Sequence, residues 1–159
     1  MQRVLDADCG ARMFYFDKQN PDVLFMDIRN EEHVIGSYET KDGVKERKLV
    51  VSPDVVADFT NMPFSDNSFY MVVFDPPHLL HAGESSWLAK KYGVLNKDTW
   101  KEDLSKGFEE CMRVLKPNGT LVFKWNTEQI DMNKVLSLFS KKPIFGDKRS
   151  KTRWIVFMK

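Results

Sequence analysis

Apolar positions along the chain fall into short runs that each stop at an acid. Val4-Leu5 opens a very short strand ending at Asp6, and Val23 to Met26 forms a second ending at Asp27. Leu49 to Phe59 contains a third, interrupted by Pro53 and closing near Asp58. Tyr70 to Phe74 is apolar throughout, as a strand buried on both faces requires, and it stops at Asp75. Ligands of open α/β sheets bind outside the carboxyl ends of the strands, so these four acids are expected to ring one crevice. The stretch between Asp27 and Asp58 departs from this rhythm. There His33 to Val51 reads as two β-prone runs around Lys41-Asp42-Gly43, which predicts a hairpin replacing or following a stunted helix.

In the second half the period changes. Thr99-x-x-Glu102 has the form of a capping box, and Leu104, Phe108, Cys111 and Leu115 recur at helical spacing until Pro117-Asn118-Gly119 breaks the chain. Thr120 to Trp125 reads as a fifth strand, and Val135, Leu136 and Phe139 place a helix over Met132 to Ser140. Pro143-Ile144-Phe145 and Trp154 to Phe157 are joined by a polar turn containing Gly146, too tightly for a parallel crossover, so they pair antiparallel. The pattern predicts a single α/β domain over residues 1–159. Its sheet is Rossmann-like, mostly parallel and seven-stranded, ends in an antiparallel hairpin and carries helices on both faces. A hairpin insertion is expected at about 33–51 and a substrate lid at about 79–98. A plain dinucleotide-binding domain would end with another βα unit instead.

Composition narrows the class. With 159 residues, 42% hydrophobic and 13% aromatic, the chain supports one buried core and is not disordered. It shows no apolar run of membrane-spanning length and no apolar leader core, and Cys9 and Cys111 lie far apart. The expectation is a cytoplasmic protein with two buried thiols and no membrane contact. His78 and His81 have no second ligand cluster beside them, so no metal site is expected. A net charge of +1 excludes a globally basic nucleic-acid binder, although Lys90-Lys91, Lys141-Lys142 and Lys148 to Arg153 are locally basic.

Several motifs together resemble the class I S-adenosylmethionine (SAM)-dependent methyltransferases. Arg3 to Arg12 is similar to their first motif, an acid followed by spaced glycines, and Asp27 stands where the family binds the ribose hydroxyls. Asp58 to Phe64 with Asp66 to Phe69 resembles the third motif, and Arg113 to Gly119 the turn before the fifth strand. The resemblance implies a SAM site built from Asp6, Asp8, Cys9, Gly10, Arg12, Asp27, Ile28, Asp58, Phe59 and Asp75. In it Asp27 accepts from the ribose diol and Asp58 from the adenine amino group, while Phe59 or Met62 packs on the ring. A crevice of carboxylates suits the cationic sulfonium. Only Gly10 matches a usual glycine. Asp8 and Arg12 hold the other two positions, where they crowd the methionine part of the cofactor or Arg12 pairs with its carboxylate.

Asp75-Pro76-Pro77-His78 resembles the Asp-Pro-Pro-aromatic motif of methyltransferases that act on amino groups of nucleobases. An exocyclic amine is a poor nucleophile because its lone pair is delocalised into the ring. Asp75 and the Pro76 carbonyl would accept its two N–H bonds and aim the lone pair, Pro77 keeps the backbone fixed, and His78 stacks on an unpaired base. Trp87, Lys90, Lys91 and Tyr92 in the lid, with Lys124 and Trp125 at the end of strand five, are candidate substrate contacts. The resemblance thus implies methylation of a nucleobase amino nitrogen, DNA adenine first and RNA next. A chain this short is expected to take its selectivity from the lid, a homodimer or a separate specificity subunit. Two alternatives stay open: a small-molecule or protein methyltransferase, and a non-catalytic subunit that keeps the fold to bind a partner.

Overall fold

The structure is a computed structural model that describes residues 1–83 and 85–159. In chain order the strands are Val4–Asp6 (β1), Val23–Asp27 (β2), Glu31–Thr40 (β3), Gly43–Val51 (β4), Val55–Val56 (β5) and Phe69–Phe74 (β6). After helices Trp87–Tyr92 (α1) and Trp100–Val114 (α2) come Leu115–Asn126 (β7), helix Met132–Leu136 (α3), Phe145–Gly146 (β8) and Thr152–Met158 (β9). Seven strands make one sheet in the order β5-β2-β1-β6-β7-β9-β8, and β3 and β4 pair separately as a hairpin. β5, β2, β1, β6 and β7 are mutually parallel, whereas β9 runs antiparallel to both β7 and β8. The closing hairpin follows from the short link between Phe145 and Thr152, and the order reverses at β1, the central switch point.

Two expected boundaries move. Leu49 to Val51 belongs to the inserted hairpin, which runs from Glu31 to Val51 around the turn at Lys41-Asp42, so the third parallel strand is only Val55–Val56. Pro53 separates the two because it cannot donate to a ladder. The capping box is not made either. Thr99 Oγ1 donates to Asp103 Oδ2 at 2.7 Å, and Glu102 pairs with Lys106 one turn later at 2.9 Å.

The core lies between the sheet and α2. Leu104, Phe108, Cys111 and Met112 form the buried stripe of that helix and meet Leu5, Met26, Val72, Phe74, Leu121, Phe123 and Phe157 from the strands. Gly107 lets α2 approach closely, because a Cβ there would lie 2.5 Å from the Phe59 ring and 2.8 Å from that of Phe74. α3 is shorter than expected and gives way to turns after Leu136. Even so, Phe139 stacks on Phe108 with centroids 4.2 Å apart, so this segment covers the same face as α2.

Helices on both faces were expected; among the described residues, α2 and α3 pack on one face and the other is covered differently. Residues 7–22 connect β1 to β2 through turns rather than a helix, with Gly10 and Arg12 at φ of 49° and 55°. That connection lays Tyr15 edge-on against Phe25 and Phe14 against Trp154. Left-handed backbone at two positions so close together is incompatible with a continuing α-helix. Among the described residues no helix is long and apolar enough to cross a membrane.

Candidate active site

The parallel register aligns the strand ends. Asp6 stands opposite Phe25 on one side and Val73 on the other, while Phe74 opposes Phe123, so Asp6, Asp27, Asp75 and Lys124 emerge along one edge. Asp6 and Asp27 are fully buried. One Asp27 oxygen accepts from Gly10 N at 2.8 Å and the other from Arg29 N at 2.8 Å, with Arg29 Nε 3.4 Å away. Asp75 Oδ2 accepts from Lys124 Nζ at 2.7 Å.

The carboxylates repel one another in a dry setting. Burial lifts the Asp6 pKa from 3.8 to about 7, and the charges of Asp75 and Asp27 add to the rise. The Tyr15 hydroxyl approaches and partly offsets it, yet neither Asp6 Oδ2 nor Tyr15 Oη completes a hydrogen bond of ordinary geometry. Burial, with the Asp27 charge second, pushes Asp8 well up. It also raises Asp75, against the pull of Lys124. Burial and the Lys124 charge lower His78, so its imidazole is neutral at pH 7.

Two small voids open beside this cluster. One, of about 50 Å³, is lined by Asp8, Cys9, Gly10, Asp75, Lys91, Tyr92 and Lys124. The other, of about 180 Å³, is lined by Asp75, His78, Leu88, Tyr92, Lys124 and Asn126. α1 is the wall of both, capped by the Ser86 hydroxyl and ended by Gly93 at φ 75°. Pro76 is buried, and Pro77 packs near Gly93, where a Cβ would come within 3.2 Å of the Pro77 ring. His78 sits between the rings of Tyr92, at 5.1 Å, and Trp125, at 6.3 Å.

Other expected site residues lie elsewhere. Arg12 turns away from the acids: its guanidinium covers the Phe25 ring at 3.8 Å and donates to the Lys18 and Ser52 carbonyls, so it does not face the void. Phe59 packs on Phe74 beneath α2, and Met62 is buried in the core, so neither offers a free face to an adenine. Asp58 is exposed and bonds back to Thr60 N and Oγ1 instead of lining the void at Asp75. Ile28 is exposed immediately beyond Asp27. Trp125 is 1% exposed and donates to the Ile130 carbonyl at 3.0 Å, which makes it a core residue with no open ring face. Lys90 presents its carbonyl to Arg29 Nη1 at 2.8 Å, and Trp87 faces a different cavity.

Arg29 was missed by sequence reasoning. It ties the end of β2 to α1 and, through Glu31 at 3.5 Å, to the inserted hairpin. A cation two residues after a strand-ending acid was the available signal.

No family model matches the chain, and no curated protein matches it. Solved structures do. The PH0226 protein of Pyrococcus horikoshii OT3 superposes with a TM-score of 0.57 at 15% identity, covering 99% of this chain and 82% of that protein. A SAM-dependent methyltransferase of the DUF858 family from Leishmania major superposes with a TM-score of 0.54 at 14% identity, covering 100% of this chain and 65% of that one. The chain thus spans about two thirds of the Leishmania enzyme's length. At such identities the likeness is one of fold alone, shared with the Leishmania methyltransferase and the Pyrococcus protein.

Proposed function

We propose that the chain is a SAM-dependent methyltransferase whose acceptor is an exocyclic amino nitrogen of a nucleobase. The observation that carries this reading is Asp75. It is a half-buried carboxylate held by Lys124, followed by two prolines, on the wall of a void that also holds a neutral histidine.

The charge of the site suits a cationic cofactor. Burial first, and neighbouring carboxylate charges after it, push Asp6 and Asp8 up, which a cation placed among them would offset, and one Asp6 oxygen has no partner. Its size fits only after movement, since about 50 Å³ is far below the ~300 Å³ or more of a ligand pocket. Displacing α1 is the economical route, because Lys91 and Tyr92 wall the void from that side. Asp6, Asp8, Asp27 and Asp75 would then hold the cofactor around Gly10, with Ile28 at its edge. SAM supplies an electrophilic methyl group on a positively charged sulfur that departs as a neutral thioether.

Asp75 and the Pro76 carbonyl accept the two amino N–H bonds and direct the nitrogen lone pair. Lys124 opposes the rise that burial causes in the Asp75 pKa, and so favours the ionised form that accepts. When the N–C bond has formed the nitrogen carries the charge and must release a proton. His78, neutral and in the same void, is placed to take it. The test is tritiated-methyl transfer from SAM to DNA and RNA oligonucleotides and to free amines, with wild type and Asp75→Ala. Label on an oligonucleotide adenine or cytosine that vanishes in the variant is the expected result. Equal labelling by both proteins, or labelling confined to free amines, would sink the assignment.

One observation favours a second reading, a methyltransferase fold kept for partner binding. Both Asp27 oxygens are already engaged, by Gly10 and Arg29. Calorimetric titration with SAM separates the two, because a folded wild-type protein that takes up no SAM supports the partner-binding reading.

A further inference from the structure

A cavity of about 910 Å³ lies across α1 from the Asp75–His78 void, between the β3–β4 hairpin and the connection from β1 to β2. Ile35, Leu49 and Val50 give it an apolar floor, and cations surround it: Arg12, Lys18, Arg47, Lys48 and Lys91, against the single acid Asp54. Arg12 is matched by Asp54 at 3.4 Å and Lys48 by Glu32 at 2.7 Å. Lys18, Arg47 and Lys91 have no carboxylate partner among the described residues. The Lys91 ammonium lies 4.9 Å from the Tyr92 ring centroid and 6.0 Å from that of Trp87, whose indole is 43% exposed. Apolar floor, exposed indole and unmatched cations together describe a site for an anion that carries a flat apolar group.

α1 connects this cavity to the proposed chemistry. Trp87 and Lys91, one turn apart, face the cavity, with Lys91 also bordering the smaller void, while Leu88 and Tyr92, one turn apart on the next face, line the void of Asp75 and His78. A single helix about 10 Å across is therefore the wall between them.

We propose that the cavity binds single-stranded nucleic acid next to the target nucleotide, with phosphates on Lys18, Arg47 and Lys91 and a neighbouring base against Trp87. This inference rests on the nucleobase reading above. The inserted hairpin then supplies a strand-binding wall on the side where residues 7–22 connect β1 to β2 through turns. Paired aromatic and cationic contacts are the usual means of holding a single strand without reading its sequence.

The experiment is fluorescence anisotropy with a labelled twelve-nucleotide single strand containing one adenine, as DNA and as RNA, over a salt series. Wild type is compared with Lys18→Glu/Arg47→Glu and with Lys142→Glu, an exposed lysine that does not line the cavity. Both positions of the double variant are exposed, and unchanged thermal melting confirms that it folds. The double variant should bind at least tenfold more weakly, with a salt slope shallower by about 1.4, or about 0.7 for each lost phosphate contact. Lys142→Glu should match wild type, and whichever strand binds more tightly identifies the natural sugar. Wild-type affinity and slope in the double variant would overturn the proposal, as would an equal loss in Lys142→Glu. Strand binding that depends on Lys18 and Arg47 without any methyl transfer would support this site and sink the catalytic reading. Methyl transfer to a strand that the double variant binds normally would do the reverse.

Discussion

Replacing Asp6 by asparagine keeps the shape of the side chain and removes its charge. In the native protein the carboxyl ionises only near pH 7, whereas in the unfolded chain it ionises near 3.8. Below pH 3.8 both states hold the proton and Asp6 costs nothing. Between 3.8 and about 7 the native state keeps a proton that the unfolded state has lost, so stability falls as pH rises. The full penalty above pH 7 is about 4 kcal/mol at roughly 1.36 kcal/mol per pH unit, and about 2–3 kcal/mol of it accrues between pH 5 and pH 8. Asparagine has no such dependence. Urea unfolding at both pH values should therefore show the variant gaining on wild type by about 2–3 kcal/mol from pH 5 to pH 8, near 1 M in midpoint for an m-value of ~2 kcal/mol per molar. Asp8 and Asp75 remain in both proteins, so their titrations cancel to first order. A variant-minus-wild-type difference that stays the same at the two pH values would refute the conflict between charge and burial argued for this site. The same reasoning reaches the cofactor. A cation bound among these acids relieves the penalty, so SAM should stabilise wild type more at pH 8 than at pH 5, and the contrast should shrink in Asp6→Asn.

Other positions give independent checks. Gly107→Ala adds a methyl group 2.5 Å from the Phe59 ring, and overpacking of about 1–3 kcal/mol should outweigh the ~1 kcal/mol gained in helix propensity. Its melting temperature should drop, and a rise would show that Phe59 does not pack beneath α2. Arg113→Ala removes hydrogen bonds to Glu110, Asp66 and the Met62 and Phe64 carbonyls, at a cost of about 1–3 kcal/mol at pH 7. Arg113 holds the Glu110 pKa below its usual value, so this stability is present above pH 4.5 and is lost as pH falls through the lower folded value. The difference between variant and wild type should accordingly narrow in acid-range urea titrations. Burial raises the pKa of both Cys9 and Cys111, so neither thiol should react with Ellman's reagent at pH 8 until the protein is unfolded.

The frame of the sheet was legible because it depends on local signals. Four apolar runs ending in acids, a Pro-Asn-Gly break and a terminal pair too close for a crossover predict a mostly parallel sheet that closes in an antiparallel hairpin, and Lys41-Asp42-Gly43 marks the inserted hairpin. What sequence could not supply is the direction in which a side chain leaves a loop. Phe59 follows a strand-ending acid, where an adenine platform belongs, yet Gly107, forty-eight residues later, leaves a slot on α2 that an apolar ring fills. Packing that ring in the slot takes part of its surface from water, which outweighs leaving it at an open crevice. Arg12 behaves likewise: with no helix after β1 to collect them, the Lys18 and Ser52 carbonyls are acceptors within its reach, and it serves them instead of the void. Lys124 was legible as a neighbour of the site because Phe123 is in register with Phe74, which sets it beside Asp75 whatever the loops do. Strand register thus made the acids and Lys124 foreseeable, whereas the inward-facing ring of Trp125 and the residues fixed by packing in loops were not. The reading of the site therefore rests most firmly on Asp6, Asp27, Asp75 and Lys124, which stand at strand ends.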